Sequence, residues 1–298
     1  MEVHQLASGI LLTQRKYTLE LLSRTNMLNS NPTPTPMIVS PKLKANDGAV
    51  FSDIQLYRST VGGLQYICLT RPDIAYAVNK VSQYMNHPHE THWKAVKCIL
   101  RYLNGTLQYG LWFSSGVGNF TLACYADADW AASVEDRRST TGYCVYLGDN
   151  PVAWCSKKQS VVSRSTSEAE YRSVANSVSE LIWVEQLLTE LGVSLIGKPT
   201  IWCDNTSTVS MSANPTHHAK VKHVEIDLHF VREKVLSGQL LVNFVPSTEQ
   251  YADILTKPIP PSLFGQMRKR LGIISSDEVQ QVKLNPADDE NDEVFAEK

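Results

Sequence analysis

The sequence predicts an α/β fold with a mixed sheet, preceded by a smaller and mostly helical segment. Three observations predict it. Runs with strand character cluster between residues 109 and 155, ahead of a helical run of about 25 residues. Beyond that helix, strand-like and helical runs alternate. Four carboxylates, Asp127, Glu170, Asp204 and Asp253, fall in turn on a strand, a helix, a strand and a helix. Acids at strand ends and on packed helices can converge on one point. Converging carboxylates repel, and are tolerated mainly where a divalent cation neutralises them.

Residues 2–13 read as a hairpin, Val3-His-Gln then Gly9-Ile-Leu-Leu, with Ala-Ser-Gly as the turn. A helix follows at 15–27, with Tyr17, Leu21 and Leu22 on one face. Pro32, Pro34, Pro36 and Pro41 make 29–48 an extended linker. Helices are expected at 54–69, at 72–85 with Pro72 at its start, and at 89–104 before Asn104-Gly105. Strands are expected at 109–114, 119–126, 142–147 and 151–155. The long helix starts at Ser165, where Ser165-x-x-Glu168 and Ser167-x-x-Glu170 both fit a capping box, and Gly192 ends it. A strand at 199–203, helices at 205–213 and 220–236 and a strand at 239–245 follow. A last helix is expected near Ser247-x-x-Gln250.

With 298 residues and 43% hydrophobic content, the chain can build one or two domains with real cores. No apolar run is long enough to cross a membrane as a helix, and no signal-peptide pattern opens the chain. The six cysteines show no C-x-x-C spacing and read as reduced, in an intracellular setting. Eight acidic residues lie in 277–298, leaving 26 Lys and Arg against 22 Asp and Glu before them. A mildly basic body permits nucleic-acid binding, and the acidic tail reads as disordered.

Hydrolysis of a phosphodiester needs an activated water and a stabilised leaving alkoxide. Two Mg²⁺ ions about 4 Å apart supply both. Mg²⁺ takes oxygen ligands, so Asp127, Glu170, Asp204 and Asp253 form a candidate metal set, with Mn²⁺ as the alternative ion. Asp129 competes with Asp127, because residues two apart on a strand share a face. Asp127 is preferred because it directly follows the apolar run, whereas Asp129 is expected at the loop.

Seven motifs occur in order: Tyr125-Ala-Asp127-Ala-Asp-Trp130, Arg137-Arg-Ser-Thr-Thr-Gly-Tyr143, Trp154-Cys-Ser-Lys-Lys-Gln159, Ser163-Arg-Ser-Thr-Ser-Glu-Ala-Glu170-Tyr171, Cys203-Asp204-Asn205, Lys222-His223-Val-Glu-Ile226 and Ala252-Asp253-Ile-Leu-Thr-Lys-Pro258. Together they resemble the ribonuclease H domain of copia-type LTR retrotransposon Pol polyproteins. The resemblance implies a ribonuclease H-like mixed five-stranded sheet flanked by helices. It also implies cleavage of the RNA strand of RNA–DNA hybrids, and it puts the family's four acidic positions on Asp127, Glu170, Asp204 and Asp253.

Upstream, Tyr57-Arg-Ser-Thr-Val-Gly-Gly-Leu-Gln-Tyr66, Thr70-Arg-Pro-Asp-Ile-Ala-Tyr76 and Lys97-Cys-Ile-Leu-Arg-Tyr-Leu103 resemble the region between polymerase and ribonuclease H. The expected divisions are therefore 1–28, the end of a reverse transcriptase; 29–48, a linker; 49–108, a helical connection segment; 109–272, the ribonuclease H-like domain; and 273–298, an acidic tail. No tyrosine-x-aspartate-aspartate signature occurs, so polymerase activity is not expected from this chain alone. An intact reverse transcriptase supplied in trans is the implied protein partner. The implied setting is cytoplasm or virus-like particle, with the nucleus as the alternative. A catalytically idle relic or nucleic-acid-binding module is the second reading.

Among the histidines, His223 is the first candidate for a general acid at the leaving group, against a polar helix surface as the plainer role. Arg137, Arg138, Lys157 and Lys158 are candidates for the hybrid's phosphates, against ordinary surface charge.

Overall fold

The computed structural model describes residues 1–116, 120–213 and 225–282. Its first strands, β1 (Glu2–Leu6) and β2 (Gly9–Thr13), form the expected antiparallel hairpin. Helix α1 (Arg15–Arg24) buries Leu21 and Leu22. The proline-fixed stretch that follows is extended but packed, with Thr35 and Met37 buried. Prolines leave such a chain with carbonyls that need donors. Side chains of the later helix 90–104 supply them, Arg101 to Asn31 O at 2.6 Å and Asn104 to Ser30 O at 2.9 Å.

Asp53 caps α2 (Ile54–Ile67), accepting from the Leu56 amide at 2.8 Å. Pro72 opens a short 3₁₀ turn that leads into α3 (Ala75–Ser82). A buried Arg71–Asp73 ion pair of 2.8 Å ties that turn to α4 (Glu90–Asn104), since the Tyr102 hydroxyl also donates to Asp73. These helices share one core with Cys144, Tyr146, Leu255 and Phe264, and so cover one face of the main sheet.

Strand β3 (Tyr109–Ser114) departs from the sequence reading. It pairs antiparallel with β2, in a separate four-stranded sheet ordered β1-β2-β3 and then the late strand 273–275. The main sheet begins with β4 (Leu122–Asp129), β5 (Thr140–Leu147) and β6 (Asn150–Lys158), all antiparallel neighbours. Along β4, Leu122, Cys124 and Ala126 enter one core while Tyr125 packs against the other, as the period of two requires.

Helix α5 (Thr166–Glu190) lies across the second face. Ser165 caps it, accepting from the Glu168 amide at 3.2 Å. Strand β7 (Thr200–Cys203) then runs parallel to β4. Helices α6 (Thr206–Ala213) and α7 (Glu225–Leu236) join the α5 face, with Met211, Leu228 and Val231 in its core. Strand β8 (Leu241–Phe244) runs parallel to β7, and the order is β6-β5-β4-β7-β8.

The helix expected from Ser247 is instead a 3₁₀ turn followed by a four-residue helix, α8 (Asp253–Thr256). Pro258, Pro260 and Pro261 prevent its extension, and Pro261 starts α9 (Pro261–Arg270). The tail expected from residue 273 starts as ordered structure. Ile273 and Ile274 belong to β9 (Ile273–Ser275), and Ser275 and Glu278 cap α10 (Ser276–Val282) reciprocally, at 2.8 and 3.1 Å. Residues 283–298 of the acidic tail lie outside the described residues. Among the described residues, no helix is long and apolar enough to cross a membrane.

Candidate active site

The candidate site is built where β4 outruns its parallel neighbour. The β4–β7 register stops at Tyr125 and Trp202, so β4 projects beyond it. The Gln250 side chain takes the Ala126 carbonyl at 3.0 Å. The buried Ser173 hydroxyl of α5 takes the Asp127 carbonyl at 2.7 Å. Asp127 is thus fixed by its backbone between a helix on one face and a loop at the strand edge.

Its β5 neighbour is Gly142. A Cβ there would stand 2.6 Å from the Thr256 methyl and 2.9 Å from Leu255 Cβ. The missing side chain lets α8 lie directly on the sheet and brings Thr256 to Asp127, to which its hydroxyl donates. Gly142→Ala is expected to lower stability by about 1–3 kcal/mol through this overlap, read as a lower melting temperature. It also pushes away the helix that carries Asp253.

Glu170 projects from the second turn of α5 and is buried. Gln159 holds that helix end, donating to Ala169 O and to Thr141 Oγ1 at 3.0 Å each. Asp204 follows β7 directly and accepts from Ser247 at 2.7 Å. Asp253 opens α8 and pairs with Lys257 at 2.7 Å, one helical turn on. The four acids converge. The charge of Asp127 acts on both Glu170 and Asp253, and the Asp204 charge acts on Glu170 as well.

Burial pushes the Glu170 carboxyl far above the usual carboxylate range, and the charges of Asp127 and Asp204 push it further. Burial and Asp127 raise Asp253 too, against the pull of Lys257. Such a cluster is ill-suited to four bare negative charges and well suited to a bound cation. Ligand atoms of Glu170, Cys203 and Asp204 lie within 4.8 Å of one another. Burial, with Glu170 adding to it, pushes the Cys203 thiol up, so it stays protonated at neutral pH. The donors on offer are carboxylate oxygens, which fit Mg²⁺ or Mn²⁺ rather than a thiolate-seeking metal.

Asp129 ends β4 within the strand rather than in the loop. Burial raises its carboxyl, and its charged neighbours are Lys42, Asp127, Lys257 and Lys80. The basic candidates stand apart from the acids in their own contacts. Arg138 and Lys158 pair with Asp136 at 3.5 and 2.9 Å, and Arg137 lies over the exposed Trp130 ring. Lys157 and Lys158 line a 360 Å³ groove with Ser160 and Asn176. His223 lies outside the described residues. Thr256, Lys257 and Ser247 escaped the sequence reading as site residues. Only Lys257 carried a signal, its i+4 spacing from Asp253.

The strand order, the crossing helix and the gathered acids define a ribonuclease H-like fold. No family model matches the chain. It is 48% identical over 274 residues to the retrovirus-related Pol polyprotein from transposon RE2 of Arabidopsis thaliana, covering 92% of this chain and 19% of that protein. It is 37% identical over 278 residues to the corresponding polyprotein from transposon TNT 1-94 of Nicotiana tabacum, covering 89% of this chain and 20% of that one. Among solved structures it is similar to a ribonuclease H1 isolated from compost by a metagenomic approach, at 13% identity and a TM-score of 0.37, covering 46% of this chain and 92% of that one. The chain belongs to the copia-type retrotransposon Pol polyproteins. It spans about a fifth of the length of these curated relatives.

Proposed function

We propose that the unit around the five-stranded sheet is a ribonuclease H-type endonuclease that cleaves the RNA strand of RNA–DNA hybrids. The observation that carries this reading is the convergence of Asp127, Glu170, Asp204 and Asp253 from four separate elements, with the Asp127 charge acting on two of the others. Asp127 is the shared member of the set. Glu170 and Asp204 flank it on the α5 and β7 side, and Asp253 on the α8 side. When bound, two divalent cations supply Lewis-acid polarisation of the phosphate and neutralise charge that builds on it. Thr256 and Ser247 orient the carboxylates of Asp127 and Asp204. Lys257, whose side chain is 42% exposed, pairs with Asp253, opposes the rise of its carboxyl and presents a cation toward an incoming phosphate. The hybrid's 2′-hydroxyls distinguish its RNA strand from DNA.

The test is a gel assay on a hybrid labelled on its RNA strand, with Mg²⁺, beside duplex DNA of the same sequence. The expected result is internal cleavage of the RNA, intact duplex DNA, and no cleavage by Asp204→Asn. An inactive wild type, or equal cutting by both proteins, sinks the proposal.

A further inference from the structure

A recess of about 370 Å³ opens between residues 33–43, α3 and α4. Its lining is mainly apolar, with Met37, Leu43, Tyr76 and Pro258 in the wall. Four cations, Lys42, Lys80, Lys94 and Arg101, stand against one acid, Asp47. Lys80 is only 6% exposed and lines the recess. No hydrogen bond or ion pair within 4.0 Å engages its ammonium among the described residues. The charges around it are Lys158, Glu135, Lys42 and Asp129. Lys158 is held by Asp136, and Glu135 accepts from the Ala45 amide and the Ser133 hydroxyl. A largely buried lysine whose charge has no close partner is costly, and burial lowers the pKa of this one, with Lys158 and Lys42 adding to the effect and Glu135 and Asp129 opposing it. An anion arriving from outside would relieve it. The recess lies near the carboxylate centre, because Pro258 in its wall directly follows Lys257, the partner of Asp253.

We infer that this recess holds one unpaired nucleotide of the substrate, its phosphate on Lys80 and Lys42 and its base against the apolar wall. The inference rests on the reading above in taking an RNA–DNA hybrid as substrate. Inside a duplex, a base stays stacked and only the backbone faces outward. A base already single-stranded has least stacking to lose and gains most from an apolar surface. The recess therefore reads the junction where hybrid gives way to single strand, beside the centre where the RNA is cut.

The test compares hybrids of equal paired length, one blunt and the others carrying an overhang of about four nucleotides on either strand. Binding is followed by fluorescence anisotropy with Ca²⁺ in place of Mg²⁺. The wild type is expected to bind one overhang hybrid about tenfold tighter than the blunt one. Lys80→Met, which keeps the stem and removes the charge, should abolish that preference and leave blunt affinity within twofold. The exposed-site variant Lys42→Met should reduce the preference in the same direction, so the result does not depend on Lys80→Met folding well. Equal wild-type affinity for blunt and overhang hybrids overturns the inference, as does a preference that survives in Lys80→Met. Equal loss on both hybrids also overturns it, since that marks a general phosphate contact. An overhang preference in a protein that never cleaves leaves the inference standing and sinks the nuclease reading instead.

Discussion

Asp127→Asn is expected to slow Mg²⁺-dependent cleavage of an RNA–DNA hybrid by at least about 10³-fold, a loss of about 4 kcal/mol in transition-state stabilisation. Asparagine matches aspartate in size and still accepts from Thr256, so α8 keeps its seat on the sheet. What is lost is the central negative charge of the set, the one that acts on both Glu170 and Asp253. The same substitution relieves repulsion in the metal-free protein, so its melting temperature should not fall. Single-turnover rates on a labelled hybrid, with thermal melts of the same samples, separate the two effects. Asp129→Asn is the matched comparison. Asp129 faces Lys42 and Lys80 as well as the cluster, and its amide variant should keep activity within about tenfold, or about 1.4 kcal/mol. If Asp129→Asn is the inactive variant and Asp127→Asn the active one, the assignment on β4 reverses.

The acids were legible because each stands next to a strong local signal. Asp127 follows an alternating apolar run, Glu170 follows a capped helix start, and Asp204 closes a short apolar strand. Period and caps report local structure, and local structure places these side chains. What the sequence hid depends on distant partners. β3 has ordinary strand composition, and nothing in its residues says that it pairs with β2 rather than β4. Ser247 and Gln250 have the spacing of a capping box, but Ser247 binds Asp204 and Gln250 binds Ala126 O. Residues that looked like a helix start are spent on the site and on a strand edge. The tail was set too early for a related reason. Its acidic composition masked Ile273 and Ile274, which complete a sheet begun some 270 residues upstream. The Lys80 recess was equally hidden, because it needs the proline-rich segment folded over α3 and α4.

Glu170→Gln should melt higher than the wild type at pH 8 without metal, and the gap should close both at pH 5 and on adding Mg²⁺. The native carboxyl of Glu170 is raised above its ordinary value of 4.5. The folded state therefore holds this proton more tightly than the unfolded state. The stability this gives is complete below the ordinary value and is lost as pH climbs toward the raised one. Asp253 acts in the same direction. His92 acts oppositely, since burial lowers its pKa and raising the pH relieves the cost of charging it. For that reason the informative quantity is the difference between the two proteins, in which His92 cancels. Glutamine imitates the protonated acid and fixes the favourable state at every pH. A difference of about 2 kcal/mol at pH 8 is expected, or roughly 3–6 °C in melting temperature. Mg²⁺ at ten times its dissociation constant stabilises the wild type by about 1.4 kcal/mol, and the glutamine variant much less, because one of its oxygen ligands is now neutral. Identical pH slopes in the two proteins would show that Glu170 does not carry the repulsion. An equal Mg²⁺ response in both would remove it from the metal-binding set.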